Sequence, residues 1–165
     1  MTRNLLLYLL ILLSSNNISA INETAYFGVN LAGAEFGTVF PGTYNVDYIY
    51  PPTKDLDYYK SKGLKLIRLP IKWERIQRTL SGSLDQTELN RLNNFIINAN
   101  ARDLLVVIDL HNYGRRSING TRHIIGSSVV SVDHIKDLWF RLADALKVHT
   151  NIWGYGLINE PHDNS

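Results

Sequence analysis

Apolar and polar residues alternate along the chain with two different periods. Short apolar segments predict four strands, and segments with apolar residues three or four positions apart predict three helices. The predicted strands are residues 25–31, 65–70, 104–110 and 153–158. The first predicted helix covers residues 54–62, the second follows Asp85 and the third follows Ser131. Each predicted strand except the last is therefore followed by a helix.

The predicted helix ends carry residues suited to capping. Thr53 is a suitable N-cap for the first helix, and Gly63 is suited to stop it. Asp85 and Glu88 have the spacing of a capping box, with Asp in the position usually held by Ser or Thr. These residues support the helix assignments that the periodicity gives.

The alternation of strands and helices predicts a parallel α/β sheet with right-handed crossovers. The strand at residues 104–110 (LLVVIDL) is almost wholly apolar, as expected for a strand that is buried on both faces. The pattern alone is compatible with a doubly wound open sheet and with a barrel. No glycine-rich phosphate loop follows the first strand, which weakens a nucleotide-binding interpretation.

Residues 1–20 are predicted to be a secretory signal peptide. Arg3 gives the N-terminal end of this segment a positive charge, and Leu5 to Leu13 form an apolar stretch. Ala20 is a small residue at a suitable cleavage point. This segment is too short to cross ~30 Å of hydrocarbon, which takes ~20 helical residues. We therefore predict a soluble, secreted, extracellular product with no membrane partner. An uncleaved anchor or a buried core segment is the alternative.

Composition excludes several classes of protein. Loss of Arg3 with the signal peptide leaves basic and acidic residues almost balanced, which gives no reason to expect nucleic acid or an anionic membrane as a partner. The chain has no cysteine, so disulfides do not stabilise it. Asn22 and Asn119 each begin a glycosylation acceptor pattern, which matters only in a eukaryotic source.

Residues 32–52, between the first strand and the first helix, form a long loop. The loop is rich in glycine and in aromatic residues, among them Phe36, Phe40, Tyr44 and Tyr48. Long ordered loops in compact domains often carry function, so we predict a functional role for this one.

Polar residues collect near the C-terminal ends of all four predicted strands. The clusters are Asn30 on the first strand, Arg68 with Trp73 on the second, Asp109 to Tyr113 on the third, and Asn159 to Asp163 on the fourth. In parallel α/β folds the loops that follow the strands converge at this edge, and functional sites are built there.

Each of these residues also has a purely structural interpretation. Arg68 is a plausible ion-pair partner for Asp109, and His111 is a plausible hydrogen-bonded core histidine. Glu160 is a plausible acidic residue at a helix N-terminus. Trp73 is a plausible core or lid residue. Taken together, however, the set predicts a polar cleft with a carboxyl group flanked by a guanidinium, an imidazole and an amide.

That combination suits glycoside hydrolysis. The reaction uses one carboxylic acid to protonate the leaving oxygen and a second carboxylate on the other side of the anomeric carbon. An amide beside the acid can hydrogen-bond the sugar 2-hydroxyl, an interaction that strengthens in the transition state. An Arg near the second carboxylate keeps it ionised by lowering its pKa.

The sequence resembles glycoside hydrolase family 5, and in particular its fungal-type endoglucanases. Residues 156–163 (GLINEPHD) resemble the fourth-strand signature of this (β/α)8-barrel family. Residues 28–37 (GVNLAGAEFG), 63–73 (GLKLIRLPIKW) and 107–113 (VIDLHNY) resemble the loop after its first strand, its second strand and its third strand. The Asn-Glu-Pro tripeptide alone is only moderately specific, whereas four matches in the right order are a strong signal.

The resemblance implies roles for four residues. Glu160 would be the general acid/base, and Asn159 would contact the 2-hydroxyl of the sugar in the −1 subsite. Arg68 would support the nucleophile, and His111 would line the same subsite. The implied activity is retaining endo-hydrolysis of β-1,4-glucan, which needs no metal and no other cofactor.

Three further residues are weaker candidates for contact with the sugar. They are Asn30, Trp73 and Tyr113.

The resemblance also implies that residues 21–165 are the N-terminal half of the catalytic barrel. A complete barrel takes ~250 residues, and the nucleophilic glutamate of the family lies on the seventh strand. We therefore expect this polypeptide to be inactive by itself and to aggregate or remain partly unfolded. A non-catalytic glucan-binding remnant is one alternative, and a related enzyme acting on mannan, xyloglucan or β-1,3-glucan is another. A dinucleotide-dependent dehydrogenase is a poor fit, because the glycine fingerprint is missing.

Overall fold

The computed structural model describes residues 26–162, which form a parallel sheet covered by helices. The strands in chain order are β1 (Gly28–Asn30), β2 (Leu66–Ile71), β3 (Leu105–Leu110), β4 (Arg115–Ile118), β5 (Thr121–Ile124) and β6 (Ile152–Gly156). The helices are α1 (Thr53–Ser61), α2 (Trp73–Ile76), α3 (Gln86–Asn100) and α4 (Val132–Leu146). The predicted signal peptide, Asn22 and Asp163 lie outside the described residues. No helix within residues 26–162 is long and apolar enough to span a membrane.

The main sheet has four parallel strands in the order β1-β2-β3-β6. Asn30 is paired with Arg68 between β1 and β2, and Pro70 is paired with Asp109 between β2 and β3. Asp109 is in turn paired with Gly156 between β3 and β6. This register places the polar residues of the separate strands at the same edge of the sheet, as the sequence predicts.

The core lies between the sheet and the two long helices. Val106, Ile108 and Leu110 of β3 are fully buried. Leu138 and Leu142 lie one turn apart on α4 and are equally buried, which is the apolar stripe expected of a helix that packs on a sheet. Burying a side chain of this size stabilises the fold by about 1.5–3 kcal/mol. The apolar pattern that predicts the helices is therefore the pattern that forms the core.

Glu88 fixes the long loop after β1 to α3. Its carboxylate accepts hydrogen bonds from the hydroxyls of Tyr48 at 2.7 Å and Tyr50 at 3.1 Å, and from Arg91 at 2.8 Å. The predicted capping box is therefore only half correct. The Asp85 side chain does accept from the backbone N–H of Glu88, but the Glu88 side chain turns towards the buried tyrosines.

Other details differ from the sequence prediction. The first helix begins at Thr53, with Pro52 rather than Thr53 in the N-cap position. The second strand continues one residue beyond Pro70. The four-residue helix α2 is too short to give a periodic signal, so the pattern did not reveal it.

The sequence pattern also missed the antiparallel hairpin of β4 and β5. Its strands are mostly polar, which hides them from a search for apolar segments. Its turn is marked by Asn119 and Gly120, both with positive φ, which is the preferred Asn-Gly chemistry of a tight hairpin. The Asn-Gly pair was therefore the signal that could have found this hairpin.

Candidate functional site

Arg68 is the centre of a hydrogen-bonded cluster at the C-terminal edge of the main sheet. Its Nη2 donates to Oδ1 of Asn159 at 2.7 Å and lies 2.8 Å from Oδ2 of Asp109. Its Nη1 donates to Oδ1 of Asn30. One guanidinium on β2 thus contacts side chains that belong to β1, to β3 and to the loop after β6.

Asp109 holds two neighbours through one oxygen atom. Its Oδ2 contacts both Arg68 and, at 2.9 Å, Nδ1 of His111. The residue is 2% exposed, so its carboxylate faces the protein rather than a ligand. The structural ion pair between Arg68 and Asp109 that the sequence suggested is therefore present. Asp109 positions the arginine and the histidine at the same time.

His111 is connected on both ring nitrogens. Its Nε2 lies 3.0 Å from the hydroxyl of Tyr113 and 3.5 Å from Nδ2 of Asn159. With Nδ1–H donating to Asp109, Nε2 is free to accept a hydrogen bond from the Tyr113 hydroxyl. The ring is partly exposed at the cleft, so it can contact a ligand as well as the protein.

Glu160 lies at the exposed end of this cluster. The backbone N–H of the preceding residue, Asn159, donates to the carbonyl of Leu110 at 2.8 Å, which attaches the loop to the end of β3. Glu160 itself has a φ of 37°, a left-handed conformation that is costly for a residue other than glycine. Asn159 is buried and Glu160 is exposed. The amide of Asn159 therefore lies inside the protein, and the carboxyl group of Glu160 lies outside.

Trp73 is not available to a sugar, which corrects one of the weaker predictions. It is fully buried, and its indole N–H donates to Oε1 of Gln77 at 2.9 Å. The guanidinium of Arg116 lies 4.8 Å from its ring centre. The core interpretation of Trp73 is the correct one. Asn30 is exposed and Tyr113 partly exposed at the site, so both remain candidates.

Two residues that had no individual role in the sequence prediction contact residues of the site. Lys72 donates to the carbonyl of His111 and lies 5.4 Å from the centre of the Tyr113 ring. Burial lowers the pKa of Lys72. The side chain of Asn112 accepts from the N–H of Trp73 and donates to Glu74. The only signal for either residue was its position just after a strand.

The part of the chain that the structure describes contains no group of three or more His, Asp or Glu side chains placed to hold a metal ion. At the site, an exposed carboxyl group follows a fixed amide, which lies beside an imidazole and a guanidinium.

Comparison with known proteins identifies the family. The sequence profile described as Cellulase (glycosyl hydrolase family 5) matches residues 22–165. The chain belongs to glycosyl hydrolase family 5. Endoglucanase EG-II of Hypocrea jecorina is 29% identical over an alignment of 153 residues, which covers 84% of this chain and 35% of that protein. The manganese dependent endoglucanase Eg5A of Phanerodontia chrysosporium is 31% identical over 138 residues, or 82% of this chain and 34% of that protein.

Solved structures of family 5 endoglucanases share the fold. An endo-β-1,4-glucanase of Xanthomonas axonopodis pv. citri is 41% identical, with a TM-score of 0.77 over 84% of this chain and 42% of that one. XacCel5A in complex with cellopentaose is 43% identical, with a TM-score of 0.76 over 82% of this chain and 42% of that one. The predicted (β/α)8-barrel fold is confirmed, and the main sheet supplies four of its strands. The chain spans about a third of the length of the curated relatives it matches.

Proposed function

We propose that this chain supplies the acid/base half of a retaining endo-β-1,4-glucanase site. The observation that carries the proposal is the set of contacts made by Arg68, because it joins Asn30, Asp109 and Asn159 into one polar floor beside Glu160. The names of the relatives agree with this proposal, since they are endoglucanases and one of them is described with bound cellopentaose.

In the proposed reaction Glu160 acts as the general acid and then as the general base. Its carboxyl group would protonate the leaving glycosidic oxygen and would later take a proton from the attacking water. Its exposure beside the buried Asn159 supports this role, because an exposed carboxyl group is open to an approaching glycan. No metal or other cofactor enters these steps.

The neighbouring amide is oriented for the sugar 2-hydroxyl. Oδ1 of Asn159 accepts from Arg68 at 2.7 Å, which leaves Nδ2 to donate. Nδ2 lies 3.5 Å from Nε2 of His111, so the amide and the imidazole face the same space. We propose that both residues bind the sugar in the −1 subsite and that Arg68 orients the amide and keeps the second carboxylate ionised.

The second carboxylate, the nucleophile, is proposed to be a glutamate outside these 165 residues. Asp109 is unsuited to the role, because its Oδ2 is already bound by Arg68 and His111 and its side chain is buried. Retaining enzymes hold the two carboxyl groups ~5 Å apart on opposite sides of the scissile bond. We therefore expect the purified 165-residue polypeptide to release no reducing ends from β-1,4-glucan. Measurable hydrolysis by that polypeptide would show that the nucleophile has been misplaced.

The acid/base role can be tested in a chimera. Residues 22–165 would be joined to the part of the Xanthomonas endoglucanase that follows its matched region, and we call this protein the barrel chimera. We expect it to hydrolyse β-1,4-glucan with retention. Replacing Glu160 by Ala should lower kcat on the polymer by about 10²–10⁴-fold. Azide should restore turnover of an activated aryl glycoside and yield a β-glycosyl azide, because azide can attack the covalent intermediate without a general base.

The control for the Glu160 variant is Asp144→Asn, which removes an exposed carboxylate on α4. It should leave kcat unchanged. If Glu160→Ala is as active as the control, or if azide restores nothing, Glu160 is not the acid/base.

We also propose that the protein is secreted and that residues 1–20 direct it. The apolar segment in those residues and the endoglucanase relatives support this proposal. Fusion of residues 1–30 to a reporter should export the reporter, and N-terminal sequencing of the exported product should begin near residue 21. Retention of the reporter inside the cell would contradict the proposal.

A further inference from the structure

Glu160 is held in its strained backbone conformation by hydrogen bonds on both sides of it. A left-handed φ of 37° in a residue other than glycine persists only where the surrounding structure fixes it. Before Glu160, the backbone N–H of Asn159 donates to the carbonyl of Leu110 at 2.8 Å, and after it, the carbonyl of His162 accepts from Nη1 of Arg115 at 3.0 Å. Leu110 is the last residue of β3 and Arg115 is the first residue of β4. The two ends of the connection between these strands therefore hold the chain on either side of the carboxyl group.

The backbone of Arg115 is fixed by a tight turn between β3 and β4. Its N–H donates to the carbonyl of Asn112 at 3.0 Å, and its carbonyl accepts from Nδ2 of Asn112 at 3.1 Å. The two residues between them, Tyr113 and Gly114, have φ values of 55° and 70°, which is the pattern of a type I′ turn. The side chain of Asn112 is buried, so the turn is attached to the interior of the protein. The guanidinium of Arg115 therefore extends from a rigid part of the backbone.

Tyr113 links the same turn to the candidate site. A bulky residue with a positive φ is uncommon, and strained residues of this kind are concentrated at functional sites. The Tyr113 ring meets the ring of His111 edge to face, with ring centres 5.0 Å apart, and its hydroxyl lies 3.0 Å from Nε2 of His111. It also meets the ring of His162 edge to face at 6.1 Å. The segment that follows Glu160 therefore contacts this turn twice, through the carbonyl and through the ring of His162.

We propose that Arg115 is a positioning residue for Glu160. By fixing the carbonyl of His162, it sets the direction in which the exposed carboxyl group leaves the backbone. A charged donor suits this task, because hydrogen bonds from an ionised group are roughly twice as strong as those between neutral groups. The inference rests on the proposed function, since the direction of this carboxyl group matters to the reaction only if it transfers protons.

Proton transfer is sensitive to such positioning. A general acid must lie within hydrogen-bond reach of the oxygen that it protonates, and a displacement of about 1 Å can cost about 10²-fold in rate. Loss of the bond from Arg115 would release the backbone two residues beyond Glu160. Arg115 acts through that backbone, so its loss should affect the protonation step and should leave the binding of the sugar unchanged.

The test uses Arg115→Met in the barrel chimera and two substrates that carry the same sugar. Phenyl β-cellobioside has a poor leaving group that needs a proton from the acid, whereas dinitrophenyl β-cellobioside has a leaving group that departs without one. We expect kcat/KM to fall about tenfold on the phenyl substrate and to stay within about twofold on the dinitrophenyl substrate. Both substrates would be assayed on one preparation, so that a smaller folded fraction cancels from the ratio of the two values.

Three further variants show whether Arg115 acts through Glu160. Arg115→Lys keeps a charged donor and should return kcat/KM on the phenyl substrate to within about threefold of the parent. Arg115→Met combined with Glu160→Ala should be as active on that substrate as Glu160→Ala alone, because no carboxyl group is left to position. Arg141→Met removes an exposed guanidinium and its ion pair with Asp137 on α4, and as the control it should change neither value.

The outcomes separate this inference from the proposed function. A loss confined to the phenyl substrate, with recovery in Arg115→Lys, would support the positioning role. An equal loss on both substrates, no loss on either, or a further loss in the Glu160→Ala background would overturn it. In each of these cases the proposed function still stands if Glu160→Ala alone lowers kcat/KM on the phenyl substrate. If Glu160→Ala has no such effect, the proposed function fails, and the role of Arg115 fails with it.

Discussion

At the scale of single residues, the site depends on how tightly Asp109 is surrounded. Gly156, its partner on β6, has no side chain, and a Cβ at that position would lie 2.8 Å from Oδ1 of Asp109. The glycine therefore leaves room for the carboxylate that positions Arg68 and His111. The polar residues of the site were readable from the sequence, because each lies in or just after an apolar segment, near its C-terminal end. The requirement for Gly156 was not, since it depends on a neighbouring strand.

Gly156→Ala should disturb the site indirectly, through its contact with Asp109. We expect the substitution to destabilise the barrel chimera by about 1–3 kcal/mol, because the added methyl group pushes the Asp109 carboxylate out of place. It should also weaken cellohexaose binding, since Arg68 and His111 lose their common anchor. Urea unfolding and binding titrations would measure the two effects.

Gly154→Ala is the control on the same strand. A Cβ at Gly154 meets no atom within 4 Å, so stability should change by less than about 1 kcal/mol. Equal destabilisation by both substitutions would show that glycine is needed for the strand as a whole and not for Asp109.

At the scale of the elements, helices and buried strands were predictable and polar connections were not. The apolar stripe of α4 and the apolar run of β3 are local patterns that survive in the fold. By contrast, α2 and the β4–β5 hairpin are held by contacts between distant residues, such as the bonds from Glu74 to Asn112 and Ser117. Contacts between distant residues leave no periodic pattern in the sequence, so these elements could not be predicted from periodicity. The long loop after β1 is fastened to α3 through the bonds from its tyrosines to Glu88, and its functional role stays a prediction.

That fastening makes the stability of the fold sensitive to alkaline pH. Burial, followed by the hydrogen bond to Glu88, raises the pKa of Tyr48 to about 12 from its ordinary value of 10.0. A raised pKa in the folded state means that the folded chain holds this proton more tightly than the unfolded chain does. The stabilisation is therefore complete below pH 10 and is lost as the pH rises towards 12.

Tyr48→Phe should reduce this alkaline loss. At pH 8 the variant should be less stable by about 1.5–3 kcal/mol, because it lacks a hydrogen bond to a carboxylate. Between pH 10 and 12 its free energy of unfolding should fall less steeply than that of the parent, with the remainder due to Tyr50. Urea unfolding of the barrel chimera at several pH values would measure both effects. Tyr58→Phe, an exposed tyrosine on α1, should change neither the stability at pH 8 nor the slope.

At the scale of the whole molecule, the main sheet is curved. Each of its two outer strands pairs with one neighbouring strand in the described part of the chain. Within residues 26–162, β1 pairs only with β2, and β6 pairs only with β3. The rings of Tyr26, just before β1, and Trp153, on β6, nevertheless meet edge to face at 5.3 Å. The sheet therefore curves as a barrel does, and its outer strands expose apolar side chains. This curvature was not predictable from periodicity, which was compatible with an open sheet, and only the ordered family motifs pointed to a barrel.

The exposed strand edges should make the 165-residue polypeptide self-associate. Phe27, Trp153 and Leu157 are all more than half exposed, and unpaired edges with apolar residues favour pairing between chains. We expect oligomers at micromolar concentrations in sedimentation velocity. Trp153→Lys should shift the distribution towards monomer, because a charge on an edge strand opposes pairing. Val148→Lys, which places the same charge on an exposed residue beyond α4, should not. A parent polypeptide that sediments as a monomer at about 50 µM, or an equal response to both lysines, would show that the sheet edges do not drive association.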